Sequence, residues 1–203
     1  MMKRTQEDAE LTRQSLLDAA IKVFGQQGYA AARLEDIAQA AGVTRGAVYH
    51  HFGGKAELFA EIIGEATQTS GQAVQNAIQQ GGTFLEIARR ILVFTVQLLE
   101  EDSRYRAATA LLLFNANDSP ELLSMREARL EQGLAQMEQI VGFFRMALEQ
   151  GAVRADLDPD VAARAFLAYQ NGLTLLWLSS PGIIDLELHA VGLAEVFVQG
   201  IAP

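Results

Sequence analysis

Apolar positions along this chain recur at intervals of three and four. Leu17, Ala20, Ile21 and Phe24 fall at i, i+3, i+4 and i+7, which is one stripe of an amphipathic helix. Similar spacing continues to the end of the chain, and β-branched runs are scarce. The pattern predicts an all-α protein of about nine helices. They are expected at 9–26, 34–41, 45–51, 55–80, 84–101, 104–116, 120–150, 159–179 and 185–200.

The breaks between stripes carry turn chemistry. Gly28 lies just past the first helix, where a left-handed stop is usual. Gly42 separates the second helix from the third, and Phe52-Gly53-Gly54 ends the third. Later breaks fall at Gly81-Gly82, Asp102-Ser103, Asn117-Asp118-Ser119-Pro120, between Gly151 and Pro159, and at Ser179-Ser180-Pro181-Gly182. Pro120 and Pro159 follow Ser and Asp, as prolines of a first helical turn do.

Two short helices joined by a Gly turn form a helix-turn-helix. Ala38 is small where the helices must approach, and Ile37, Val43 and Val48 can fill the space between them. Thr44 sits where an N-cap belongs. The third helix then exposes Thr44, Arg45, Gly46, Tyr49 and His50. Arg45 suits the guanine edge in a major groove, and Gly46 and Ala47 keep the helix thin enough to enter. Thr44, Tyr49 and His51 carry hydrogen-bonding tips for phosphate oxygens. Lys55 opens the fourth helix, where a cation and free N–H groups together favour an anion.

Charge sharpens this division. The chain of 203 residues has net charge −9, which argues against non-specific nucleic-acid binding by the whole molecule. Residues 1–60 carry seven basic and seven acidic side chains, whereas residues 61–203 carry nine and eighteen. The excess negative charge therefore follows the first sixty residues, and two parts with different partners are expected. We divide the chain at 1–54, a DNA-binding domain, and 55–203, a second domain with other partners.

The remaining chemistry narrows the class. Cysteine is absent, so no disulfide or thiolate site exists and a reducing cytoplasm fits. The start of the chain is polar, unlike a secretory signal, and no apolar run reaches the ~18 residues of a membrane span. His50 and His51 are adjacent and point about 100° apart on a helix, so they are poorly placed to share a metal, and no HExxH is present. No metal site and no cofactor are expected. No nucleophile–base pairing is recognisable, so an enzyme is not expected either.

Residues 12–59, TRQSLLDAAIKVFGQQGYAAARLEDIAQAAGVTRGAVYHHFGGKAELF, resemble the DNA-binding domain of TetR-family transcriptional regulators. The resemblance rests on Asp36-Ile37-Ala38, Ala41-Gly42-Val43-Thr44, Tyr49-His50-His51-Phe52 and Lys55-Ala56-Glu57-Leu58. It is nearest in flavour to the AcrR-like branch, repressors of multidrug efflux genes. It implies that Arg45 and His50 face bases, that Thr44, Tyr49, His51 and Lys55 hold phosphates, and that Thr12 caps or touches the DNA backbone. Arg33 departs from the family pattern, which has Ser or Thr there. Arg33 could still reach a phosphate, but the cap is lost.

The resemblance also implies a homodimer on a palindromic double-stranded operator. Helices 159–179 and 185–200 would pair with their copies through Leu173, Leu176, Leu186, Val191, Leu193, Ala194, Phe197 and Val198. The middle helices would enclose an effector. Phe84, Phe94, Phe114, Phe143, Phe166, Tyr169 and Trp177 suggest a small hydrophobic or aromatic compound, oriented by Asn115, Gln170 and Asn171. Core packing stands open as the other reading of these aromatics. The expected function is a ligand-responsive repressor. The alternatives are an acyl-CoA or fatty-acid responsive regulator, an activator of the same family, and a helical interaction module that does not bind DNA.

Overall fold

A computed structural model describes residues 6–115, 119–180 and 182–203. Among the described residues every regular element is helical. The helices are α1 (Gln6–Ala31), α2 (Leu34–Ala40), α3 (Arg45–Phe52), α4 (Lys55–Gln79), α5 (Phe84–Glu101), α6 (Ser103–Phe114), α7 (Leu123–Glu149), α8 (Pro159–Ser179) and α9 (Leu186–Ile201). The all-α fold is thus as expected. No helix among them is long and apolar enough to cross a membrane. The breaks placed at Asn117-Asp118 and Pro181, and the end of the sixth helix at residue 116, lie outside the described residues.

Local chemistry explains most boundaries. α1 begins earlier than expected, with Glu7 and Asp8 in its first turn, where carboxylates favour the positive end of the helix dipole. Gly28 adopts φ 77°, ψ 161°, a conformation essentially confined to glycine, and kinks the helix there before one more turn to Ala31. The expected α7 start at Pro120 is a 3₁₀ turn, Pro120–Leu122, and the α-helix proper follows it. Thr83 and Glu86 form a reciprocal capping box at α5. Asp158 and Asp185 cap α8 and α9 by accepting backbone N–H groups.

The chain forms two compact units. The first lies within Met1–Gln68 and Ser103–Met125, and the second within Thr69–Asp102 and Arg126–Pro203. α4 contributes to both. The first unit therefore takes in the start of α4 and all of α6, beyond the stretch 1–54 assigned to it from sequence.

The first unit is built on the stripe read from sequence. Leu16, Leu17, Ala20 and Phe24 of α1 are buried with Ile37, Val48, Leu58, Phe59 and Ile62. Phe24, Tyr29 and Phe59 form an aromatic triad with ring centroids 5.1–5.6 Å apart, each pair worth about 0.5–1.5 kcal/mol beyond its burial. At the rim, Arg13 pairs with Glu61 and Glu65, while Arg104 reaches Glu65, Asp18 and Gln14. This network joins α1, α4 and α6.

The second unit packs α5 against α8 and α9. An aromatic chain runs through its core, from Phe84 to Phe144 at 5.1 Å, on to Phe166 at 6.2 Å, and to Phe197 at 5.5 Å.

Candidate nucleic-acid interface

The helix-turn-helix is assembled from the inside. Val48 is the buried residue of α3, and Leu34, Ile37 and Ala38 are those of α2. Between the helices, Gly42 takes φ 68°, which glycine adopts freely. The Val43 N–H donates to the Ala38 carbonyl at 2.9 Å and closes the turn. Thr44 then accepts the Ala47 N–H at 3.3 Å, the N-cap bond read from sequence. With α3 fixed on its buried side, Thr44, Arg45, Gly46, Tyr49 and His50 are left exposed, and His51 is half-buried. No acidic side chain occupies the first turn of α3.

Arg45 has a defined environment. Its Nη1 lies 2.6 Å from a Glu35 carboxylate oxygen, and its Nη2 donates to the Tyr49 hydroxyl at 2.9 Å. The guanidinium also stands over the Tyr49 ring, 5.3 Å from its centroid. The hydrogen bond to Tyr49, then the Glu35 charge, raise the Arg45 pKa above its ordinary value. Arg33 is exposed at the N-cap of α2 with extended backbone and makes no side-chain cap bond, the loss expected from its sequence. Arg33, Glu35, Arg45 and Tyr49 line one open groove with Lys55 and Glu57.

Two residues assigned to phosphates have partners within the protomer. The Lys55 ammonium donates to the carbonyls of Tyr29, Ala30 and Ala32 at 3.1, 3.5 and 3.3 Å, and lies 4.5 Å from the Tyr29 ring centroid. It also sits 3.9 Å from Glu121, which accepts the Tyr29 hydroxyl proton at 2.8 Å. The ammonium therefore lies at the carboxyl end of α1. Burial first, then Glu121, push the Tyr29 hydroxyl pKa well up. Thr12 is the second case. It lies inside α1 rather than at its cap, and its hydroxyl donates to the Asp8 carbonyl at 2.8 Å. Sequence reasoning also missed Glu35, whose one visible signal is its place in the first turn of α2.

The residues assigned to an effector pocket separate. Phe84, Phe166 and Tyr169 pack into the core of the second unit, with Tyr169 donating to the Leu193 carbonyl at 2.7 Å. Phe143 is exposed on α7, beside a shallow groove with Gln139 and Met146. Phe94, Gln170 and Trp177 are half-buried and Asn171 is exposed in the second unit. Phe114 is exposed and Asn115 half-buried at the end of α6 in the first unit.

The proposed seam divides in the same way. Leu186 is fully buried within the protomer, and Leu173, Ala194 and Val198 are buried with it. Phe197 packs on the second core. These five side chains pack within the protomer. The outer faces of α8 and α9 carry Leu175, Leu176, Leu188 and Val191, the last two 73% and 58% exposed, with Leu193 half-buried.

Comparison with known proteins agrees with this architecture. Residues 16–62 match the family described as bacterial regulatory proteins, tetR family, and residues 84–202 match the C-terminal region of MAATS-type transcriptional repressors. The HTH-type transcriptional regulator AcrR of Shigella flexneri is 31% identical over 98% of this chain and 93% of its own. The HTH-type transcriptional regulator TtgR of Pseudomonas putida is 32% identical over 92% and 89%. Among solved structures, NalD, the secondary repressor of the MexAB-OprM multidrug efflux pump in Pseudomonas aeruginosa, superposes with TM-score 0.80 at 28% identity, covering 97% of this chain and 98% of that one. The chain is a member of the TetR family of transcriptional regulators, with a helix-turn-helix head and a repressor-type C-terminal region.

Proposed function

We propose that this protein is a drug-responsive repressor of an efflux gene, acting in the cytoplasm as a homodimer on a palindromic operator. The observation that carries the DNA-binding part is the exposed row Thr44, Arg45, Gly46, Tyr49 and His50 on a helix anchored from behind by Val48. Arg45 and His50 face bases, with Gly46 allowing close approach, and Thr44, Tyr49, His51 and Arg33 hold phosphates. NalD, described as the secondary repressor of a multidrug efflux pump, supports the target class. A head of this kind reads few base pairs, so a symmetric pair on two half-sites is needed for useful discrimination. The exposed apolar faces of α8 and α9, with Leu176, Leu188 and Val191, are the surfaces that would pair.

The effector is a small, mostly apolar compound. The second unit is rich in aromatic side chains, and a 26% identical relative, SmeT, was solved with triclosan and superposes with TM-score 0.77 over 95% of this chain. Release requires only that the effector prefer the state that fits DNA poorly. A hundredfold loss of DNA affinity needs about 2.7 kcal/mol of coupling.

A gel shift with DNA upstream of the protein's own gene, with and without a panel of hydrophobic drugs and dyes including triclosan, tests both parts. The expected result is retardation at low salt that a drug reverses. No shift would remove the DNA-binding reading. Calorimetric binding of an acyl-CoA or a sugar, with none of the apolar panel, would overturn the effector class.

A further inference from the structure

The guanidinium assigned above to base reading is held from two sides by different elements. Glu35, in the first turn of α2, takes Nη1 at 2.6 Å. Tyr49, one turn along α3, takes Nη2 at 2.9 Å and lies under the guanidinium plane. Neither backbone is loose. Leu34, Ile37 and Ala38 bury the inner face of α2, Val48 buries that of α3, and the Ala38–Val43 hydrogen bond sets the angle between them. The exposed Glu35 side chain is therefore carried beside the start of α3, within reach of Arg45.

A carboxylate on this face is a poor choice for affinity alone. In a helix-turn-helix the first helix crosses the phosphate backbone while the second enters the groove. A negative charge on that first helix repels every duplex alike. The pairing with Arg45 gives it another consequence. A free arginine finds a phosphate on any sequence, a contact that carries no sequence information. An arginine already paired gains little from a single phosphate. It gains more from guanine O6 and N7, which together accept two bonds.

We propose that Glu35 is a specificity-determining residue: by holding Arg45 it disfavours capture of phosphates, so that random DNA is penalised more than the cognate site. This rests on the reading of Arg45 as a base-contacting residue. Arg33 and Lys55 line the same groove, but Lys55 lies at the α1 carbonyls and the ion pair of Glu35 is with Arg45, so Glu35 acts through Arg45.

The test uses the full chain and two probes: a duplex enriched from a randomised library by the wild-type protein, and a scrambled duplex of equal composition. Glu35→Gln should tighten binding to the scrambled duplex by about fivefold, the scale of one exposed ion pair. The enriched duplex should gain at most about twofold. The salt slope on scrambled DNA should steepen by about one. Glu35→Asp keeps the charge but withdraws the carboxylate from Arg45, so it should lower the ratio of the two affinities as Gln does. Equal tightening of both probes by Gln, or a wild-type ratio in Asp, would make Glu35 a repelling charge only and overturn the inference. In an Arg45→Ala background, Glu35→Gln should shift both probes equally. A ratio that still moves there also overturns it. Arg45→Ala alone separates the two ideas, because an unchanged ratio in that variant removes the base-reading assignment itself, and this inference with it.

Discussion

At the scale of single residues, two cations ten positions apart do different work. Arg45 is exposed, paired through its edge, and placed at the start of a helix whose other face is buried. Arg45→Ala should reduce the ratio of operator to random affinity by roughly tenfold, the cost of a lost base contact. Paired binding isotherms at one salt concentration check this, and an unchanged ratio would count against α3 as the reading helix. Lys55 is instead only 20% exposed along its side chain, over the Tyr29 ring and against three carbonyls. Lys55→Met keeps the stem and removes the donors. Urea unfolding should show a loss of about 1–3 kcal/mol, with the salt slope of DNA binding retained. A slope that falls by about one while stability holds would return Lys55 to the phosphates.

At the scale of elements, the helix-turn-helix was legible because each of its parts is a local signal. Gly42 turns the chain, Thr44 caps from within three residues, and Leu34, Ile37 and Ala38 fall at i, i+3 and i+4 of α2. Gly28 was legible for the same reason, as a stop by position, and the structure makes it a kink with φ 77°. Gly28→Ala should destabilise the protein by about 1–3 kcal/mol, because alanine is strained in that conformation. The nearest atom to an added Cβ is Asn115 Nδ2 at 3.9 Å, an ordinary contact, so the cost lies in the backbone. Thermal or urea unfolding checks this, and a neutral substitution would contradict it. What sequence could not show was direction in three dimensions. The ammonium of Lys55 finds carbonyls more than twenty residues away, brought near only by the packing of α1 on α4. Helix α9 is apolar on both sides, so period alone could not tell Leu186, which is buried, from Val191, which is exposed. The same ambiguity holds for Phe166 and Tyr169, which period alone could place in a pocket wall or in the core against which they pack.

At the scale of the whole molecule, one chain contributes one reading helix, and useful discrimination requires two. The outer faces of α8 and α9 are the surfaces proposed above for pairing. Val191→Glu, a change at an exposed position of α9, should leave the protomer folded and yield a monomer by analytical ultracentrifugation at micromolar concentration. DNA affinity should fall with it. A dimer that persists would move the seam elsewhere. The central claim, that a symmetric pair of α3 helices reads duplex DNA, is tested most directly by hydroxyl-radical footprinting of the wild-type protein on the library-enriched duplex. The account predicts two equivalent protected segments spaced by about one helical turn, ~34 Å, or a multiple of it, both lost in Arg45→Ala at matched concentration. A single protected segment, or protection that survives in Arg45→Ala, would contradict it.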